Sequence, residues 1–327
     1  MRGPMTPSLP RRRLLAGAAL ALAAPAIGRA APVLNVSYVL RPFNVPQIVM
    51  RQRGLLEQRL RPLGYGVAWH DITSGVLQAQ AMAAGSLDIG AVMNPVSVIL
   101  ALANGNPMRI IGGFARNSKL AAILAVNPAI RTVADLKGRT VGVSSLSSIL
   151  SWMIGEIAVR EGWQRDAIHQ VASGPPTAQV ALLKSGQLDA AGSDLAPALQ
   201  LEASGDVRIL ARFGDIITQS LNNVIFATDG FIAARPDDLR AFLKGWFATI
   251  AYARAHRDQT VADMTTLLGI DRKFVEVIYD RQMPMYLDDG HFPKAGLALI
   301  ARAIVEVHML DAEPDMAKLY TEAYLPK

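Results

Sequence analysis

The sequence predicts an α/β protein of two similar lobes, each a mixed, mostly parallel sheet flanked by helices. Three observations carry this expectation. Short strand-like runs alternate with helical patterns up to Pro236, the arrangement of a sheet covered by helices. Two eight-residue stretches, Ala81–Asp88 and Leu182–Asp189, share a helix end, a Gly stop and a Leu-Asp leading into a small-residue strand. Apolar residues make up 51% of the 327, and there is no cysteine, so the fold stands on its cores without disulfides.

Residues 1–30 are expected to lie outside that fold. They carry Arg2, Arg11, Arg12, Arg13 and Arg29, no acidic residue, and an Ala/Leu-rich run from Leu14 to Ile27. A basic start, a short apolar middle and the small residues Gly28 and Ala30 before a cleavage point make a secretory signal peptide. The run is short for a permanent membrane span, which is the alternative reading. Arg11-Arg12-Arg13-Leu14-Leu15 resembles a twin-arginine signal, with a general secretion signal as the alternative. Without an N-terminal cysteine there is no lipid anchor. The full chain has 33 basic and 27 acidic residues, a net +6; without the five arginines 28 and 27 remain, a net +1. The basic balance therefore belongs to the leader and gives no argument for nucleic acid or an anionic membrane as partner. The expected location is the periplasm, as a soluble monomer.

In the first part, Val33–Leu40 alternates as a strand and Val45–Arg61 has helical spacing. Gly64-Tyr65-Gly66 turns into a strand at Val67–Asp71. A helix over Val76–Ala84 stops at Gly85, the place of a C-cap glycine. Asp88–Met93 is a strand, Asn94-Pro95 opens a helix through Ala103, and Met108–Phe114 is a strand again.

The second part repeats this scheme. Leu120–Val126 is a strand, and Thr132 with Asp135 fits a capping box. Thr140–Val143 is a short strand, Ile149–Glu161 and Thr177–Lys184 are helices, and Asp189 begins another strand. Each Leu-Asp strand ends at an Asn or Asp with a nearby Pro: Asn94-Pro95, and Asp194 with Pro197. Repeated units suggest facing lobes, although common supersecondary structure gives the same short match. Beyond Pro236 the pattern is helical. Phe242, Trp246, Phe247 and Ile250 form a core stripe, and helices are expected over Thr260–Leu268, Arg272–Arg281, Ala295–His308 and Glu313–Tyr320, packed on the first lobe.

The order of these segments resembles the periplasmic binding proteins of the taurine, nitrate and alkanesulfonate uptake family. The stretches Ala79–Gly90, Val133–Ser145, Val180–Gly192 and Phe231–Leu243 carry the resemblance, which spans nearly all of the chain after residue 30. It implies the two-lobed periplasmic-binding-protein fold of type II. Residues 31–117 and 222–327 form lobe one, and 118–221 form lobe two. Crossings are expected near Asn117–Leu120 and Leu221–Val224, with a ligand cleft between the lobes. It also implies a small anionic or zwitterionic ligand, such as a sulfonate or carboxylate, and an inner-membrane ABC permease with its ATPase as partner. The chain departs from the common pattern at Ser144–Ser148, which keeps hydroxyls but lacks the usual glycine.

Ligands of open α/β sheets sit beyond the carboxyl ends of strands. The loops there supply Arg41, Phe43, Asn44, Ser74, Gly75, Asn94, Ser144, Ser145, Ser147, Thr177 and Asp194 as candidate ligand-binding residues, with Arg116 and Asn222 near the crossings. Several of these loops open helices, whose free N–H groups favour an anion by about 0.3–1 kcal/mol each. Micromolar binding needs about −8 kcal/mol, so stacking on Phe43 and a cation such as Arg41 are expected to add to the helix starts. Lys119 is a further candidate cation. Asp194 would repel an anion and suits a helix cap or an amine of a zwitterion. Ser74, Ser144 and Asn94 equally suit caps, Arg41 and Arg116 equally suit a solvated surface, and Asp88 and Asp189 read as structural.

No metal, cofactor or catalytic residue is expected. His70, His169, His256, His291 and His308 are scattered without metal spacing, and no G-x-S-x-G, H-E-x-x-H or phosphate loop is present. An enzyme on the same fold, making pyrimidines or dehydrating small acids, and an exported sensor for a membrane receptor remain the alternative functions.

Overall fold

The computed structural model describes residues 3, 32–40, 44–72, 74–116, 121–146, 148–218 and 221–327. The leader expected over residues 1–30, apart from residue 3, and the first crossing at 117–120 lie outside the described residues, as do Arg41, Phe43 and Ser147. The chain first runs through β1 (Val33–Tyr38), α1 (Val45–Gln52), α2 (Leu55–Leu60), β2 (Gly66–Asp71), α3 (Gly75–Ala83), β3 (Ile89–Met93), α4 (Pro95–Ala103) and β4 (Met108–Arg116). It continues with β5 (Ala121–Ala125), β6 (Thr140–Val143), α5 (Ile149–Arg160), β7 (His169–Ala172), α6 (Pro176–Lys184), β8 (Ala190–Asp194), α7 (Leu195–Ala203), β9 (Arg208–Arg212) and α8 (Phe213–Ile216). It then returns through β10 (Leu221–Thr228) to α9 (Asp229–Ala234), α10 (Pro236–Ala255), α11 (Arg257–Leu268), α12 (Arg272–Gln282), α13 (Lys294–Glu306) and α14 (Met316–Leu319).

Two five-stranded sheets share one plan. Sheet one has the order β2-β1-β3-β10-β4 and sheet two β7-β6-β8-β5-β9. In each, the first three strands are parallel, and the fourth, β10 or β5, runs antiparallel to both neighbours. The two-lobed α/β expectation holds, and the sequence repeat coincides with this symmetry, since Asp88 and Asp189 precede the equivalent strands β3 and β8. They make the same bonds. Asp88 Oδ2 accepts from the backbone N–H of Asn35 at 2.8 Å, and Asp189 Oδ2 from that of Thr140 at 2.9 Å. Their own N–H groups donate back to the carbonyls of Asn35 and Thr140, at 2.9 Å in both cases. Each carboxylate thus fixes the register at which its strand joins its parallel neighbour, β3 to β1 and β8 to β6. Gly85 (φ +72°) and Gly186 (φ +75°) end the preceding helices in the left-handed region.

Sequence expectation and structure part in a few places. The single helix expected over Val45–Arg61 is two, because Gly54 adopts φ +58° and the Arg53 N–H bonds back to Val49 to close the first. The helix expected over Glu313–Tyr320 shrinks to Met316–Leu319, its start set by Asp315, whose Oδ1 accepts from the Ala317 N–H at 3.0 Å. Strands β7 and β9 and helix α7 were not expected. The strand expected near Leu221–Val224 at the second crossing is the start of β10, which runs on to Thr228.

The core of the first half gathers around Trp246. Its ring lies 5.5 Å from that of Phe114 and 5.5 Å from that of Phe242. Phe242, Trp246, Phe247 and Ile250 are all buried in one cluster, so the stripe is core. Helices α10 and α11 cover α1 and α2, as expected of a C-terminal layer on the first lobe. Helix α13 differs: it packs on α4 of the first half and also on α5 of the second. In β3, Val92 takes φ +61° and has no partner between Ala91 and Met93, which pair with Ile225 and Val224. This bulge turns the strand just before Asn94.

Gly90 is where β3 meets the ring of Phe226 on β10. A Cβ there would stand 1.9 Å from Phe226 Cζ. Gly90→Ala is expected to destabilise the protein by about 1–3 kcal/mol or more, read as a lower urea midpoint; an unchanged midpoint would contradict this packing.

Candidate functional site

A cavity of about 260 Å³ lies between the two halves. From the first half come Asn94 and Val96 at the start of α4, Leu221 and Asn222 at the start of β10, and Leu299, Ile300 and Ala303 of α13. From the second come Ala121 of β5, Asp194 at the end of β8, and Ile149, Leu150, Trp152 and Met153 of α5. The wall is mainly apolar with few polar groups, the usual make-up of a small-molecule site. Two helices of adequate length, α4 and α5, begin at it, which brings free N–H groups and partial positive charge to its edge.

The three polar side chains on the wall have different bonding states. Asn94 Oδ1 accepts from the Val96 N–H at 2.9 Å, capping α4 and leaving its amide NH2 to donate. Asn222 Nδ2 donates to Asn223 Oδ1 at 2.7 Å, leaving the Asn222 carbonyl oxygen as an acceptor. The apolar surroundings push the Asp194 carboxyl pKa up from its ordinary value, with no cation among the described residues to offset the burial.

Of the residues expected from sequence, Asn94, Asp194 and Asn222 therefore share one cavity. The others fall elsewhere. Asn44 is fully buried, its amide donating to the Val39 carbonyl at 2.7 Å and to Gln47. Ser74 stands at the N-cap of α3 without a side-chain capping bond. At Gly75 an added Cβ would lie 2.9 Å from Ser97 Oγ, so this glycine lets α3 approach α4. Arg116 is exposed at the end of β4, opposite Leu221 in the register. Ser144, Ser145 and Thr177 are exposed. The cap of α5 is Ser148, whose Oγ accepts from the Ser151 N–H at 3.1 Å.

Sequence reasoning missed the walls of α5 and α13. Their signal is a second apolar stripe on α5. Ile154, Ile157 and Ala158 face the sheet-two core, whereas Ile149 and Trp152 point toward Ala303 of α13 and Val307 just after it, and Met153 packs between the two. Trp152 is 5% exposed, and its indole N–H donates to Glu306 Oε2 at 2.6 Å.

Two sheets of matched topology with a cavity between them define a two-lobed binding-protein fold. The chain matches the family model described as NMT1/THI5 like over residues 70–260 and belongs to that family. A Bacillus subtilis (strain 168) relative named as an aliphatic sulfonates-binding protein is 26% identical over 242 residues, covering 73% of this chain and 71% of its own. Among solved structures, the periplasmic aliphatic sulphonate binding protein SsuA from Escherichia coli superposes with a TM-score of 0.70 at 22% identity, over 88% of this chain and 91% of its own. The desulfurization enzyme DszB shares the fold as well, with a TM-score of 0.59 at 17% identity over 90% of this chain and 97% of its own. Among the described residues, no helix is long and apolar enough to cross a membrane.

The raised Asp194 pKa has a stability consequence. The folded protein retains this proton over a pH range in which the unfolded chain has released it, so stability falls as pH rises from the ordinary carboxylate value through the raised one. Asp194→Asn is expected to raise the urea midpoint of the ligand-free protein near neutral pH, with the gain vanishing at acid pH. A variant less stable than the parent near neutral pH would show that the carboxylate is held by favourable contacts instead.

Proposed function

We propose that this protein is the exported substrate-binding component of an ABC importer, taking a small anionic or zwitterionic organic solute of the sulfonate or carboxylate kind. The observation that carries this reading is the cavity, whose walls come from both halves, in a chain of a family with sulfonate-binding relatives. Residues 1–30 serve as the leader, with the twin-arginine pattern as the route. Residues 31–117 with 222–327 form one lobe and 118–221 the other. The ligand presents its apolar body to α5 and α13 and its anionic end to the starts of α4 and α5. Asn94 donates to it, and Asp194 and Asn222 accept from an amine or hydroxyl where the ligand has one. Hinge closure adds the second wall to the first, so the closed form is favoured by contacts that only it offers. The closed, loaded protein, a monomer, then delivers the solute to an inner-membrane permease with its ATPase.

An enzymatic role on the same fold has less support. Among the described lining residues, Asp194 alone has a titratable side chain, and the chain has no cysteine nucleophile.

Titration calorimetry against alkanesulfonates, carboxylates and pyrimidines is expected to find a sulfonate binding at micromolar or better, without turnover. Asn222→Ala is expected to weaken that binding about tenfold, the loss of roughly one hydrogen bond. X-ray scattering is expected to show compaction on binding. Binding of none of the panel would overturn the ligand class, and binding without compaction would overturn closure.

A further inference from the structure

We propose that α5 and α13 carry an ionic clasp that sets how far the two halves separate, with Trp152 linking that clasp to the cavity. This regulates the site described above, so its role in binding rests on the cavity being the ligand site; the clasp itself does not.

Five charged side chains meet where the helices touch. Glu306 of α13 accepts from the Trp152 indole and also faces Arg165 Nη2 at 3.2 Å. Arg165 follows α5 in the second half; it also meets Glu156 Oε2 at 3.4 Å, and its Nη1 donates to the Trp152 carbonyl at 3.4 Å. Glu156 is 6% exposed and receives Arg160 Nε at 3.1 Å, with Arg302 of α13 at 4.0 Å. Arg302 also lies 3.8 Å from Glu306. Each half therefore holds a carboxylate that a cation of the other half approaches: Glu156 with Arg302, and Glu306 with Arg165. The arginine at the centre is shaped for this place. The Arg165 guanidinium lies 5.2 Å from the centre of the Trp152 ring, and its stem runs over Gly155, where a Cβ would stand 2.8 Å from Arg165 Cγ.

Beneath these charges Trp152, Ala303 and Val307 are buried together, with Ile149, Met153 and Leu299 partly buried against them; Ile149 also packs on the first-half core and Leu299 on that of sheet two. The apolar part of the seam thus rests largely on half-buried side chains. Arg165, Arg302 and Glu306 remain between a third and a half exposed, so water competes for their ion pairs and salt screens them. The clasp is thus weak enough to open and specific enough to fix one closed geometry. Trp152 belongs to both systems. Its ring forms cavity wall and its N–H holds Glu306, so a ligand that packs on the ring also holds the indole where Glu306 meets it. Glu306 itself lies off the cavity wall, which makes it the residue to alter.

The test uses ligand-free protein first. Glu306→Gln, and independently Arg302→Gln in case the first variant folds poorly, are expected to enlarge the radius of gyration and to speed amide exchange in α5 and α13. Raising sodium chloride should move the parent in the same direction and leave Glu306→Gln nearly unchanged. With butane-1-sulfonate as probe, Glu306→Gln is expected to bind about three- to tenfold more weakly, mainly through faster release. If dimensions, exchange and salt response of the ligand-free variants all match the parent, the clasp is overturned whatever the ligand does. If they change as expected but no sulfonate binds either protein, the clasp stands and the sulfonate reading of the cavity fails.

Discussion

The architecture depends on one constraint: each sheet is completed by a strand that arrives from the other. β10 reaches sheet one only after the whole of sheet two has been traced, and it inserts between β3 and β4, hydrogen-bonded to both. β5 takes the equivalent place between β8 and β9. Both strands that follow a passage between halves are therefore interior strands, hydrogen-bonded on either side. Ala121 at the head of β5 and Leu221 with Asn222 at the head of β10 open onto the cavity for this reason. The cavity wall thus includes the heads of the two strands that complete the sheets.

The polar and apolar parts of the site have separate origins. The polar groups sit where strands end and helices begin, a position that topology alone supplies. The apolar wall comes from two helix flanks, α5 and α13, that belong to different halves and meet beside the cavity. A ligand bound there touches both halves at once, and much of its apolar contact exists only while those flanks are together.

How much of this was legible in the sequence follows the same division. The repeated Gly-x-Leu-Asp blocks located equivalent strands, because each aspartate accepts from a backbone N–H of the neighbouring strand at the same place. Asn94 and Asp194 were legible because they lie where strands end, and Asn222 because it lies near a crossing. Strands β7 and β9 were not, since both are edge strands with polar, partly exposed faces, and an edge does not require the apolar run that marks a central strand. The walls were hidden for another reason. A stripe such as Ile149, Trp152 and Met153 reads as ordinary helix core, and periodicity says which residues face inward without saying which inside they face. Residues such as Arg41, Phe43 and Ser147, expected from sequence, lie outside the described residues and belong to neither group.

The exchange of central strands also bears on the order in which the polypeptide is made. Sheet two has all five of its strands once residue 212 has been synthesised, whereas sheet one must wait for residue 228, although its first strand begins at residue 33. During that interval β3 and β4 each present an unpaired backbone edge, rich in Ala, Ile and Gly, of the kind that invites wrong partners. The nascent chain thus completes its middle before its beginning, and its need for protection from aggregation is greatest just before β10 emerges.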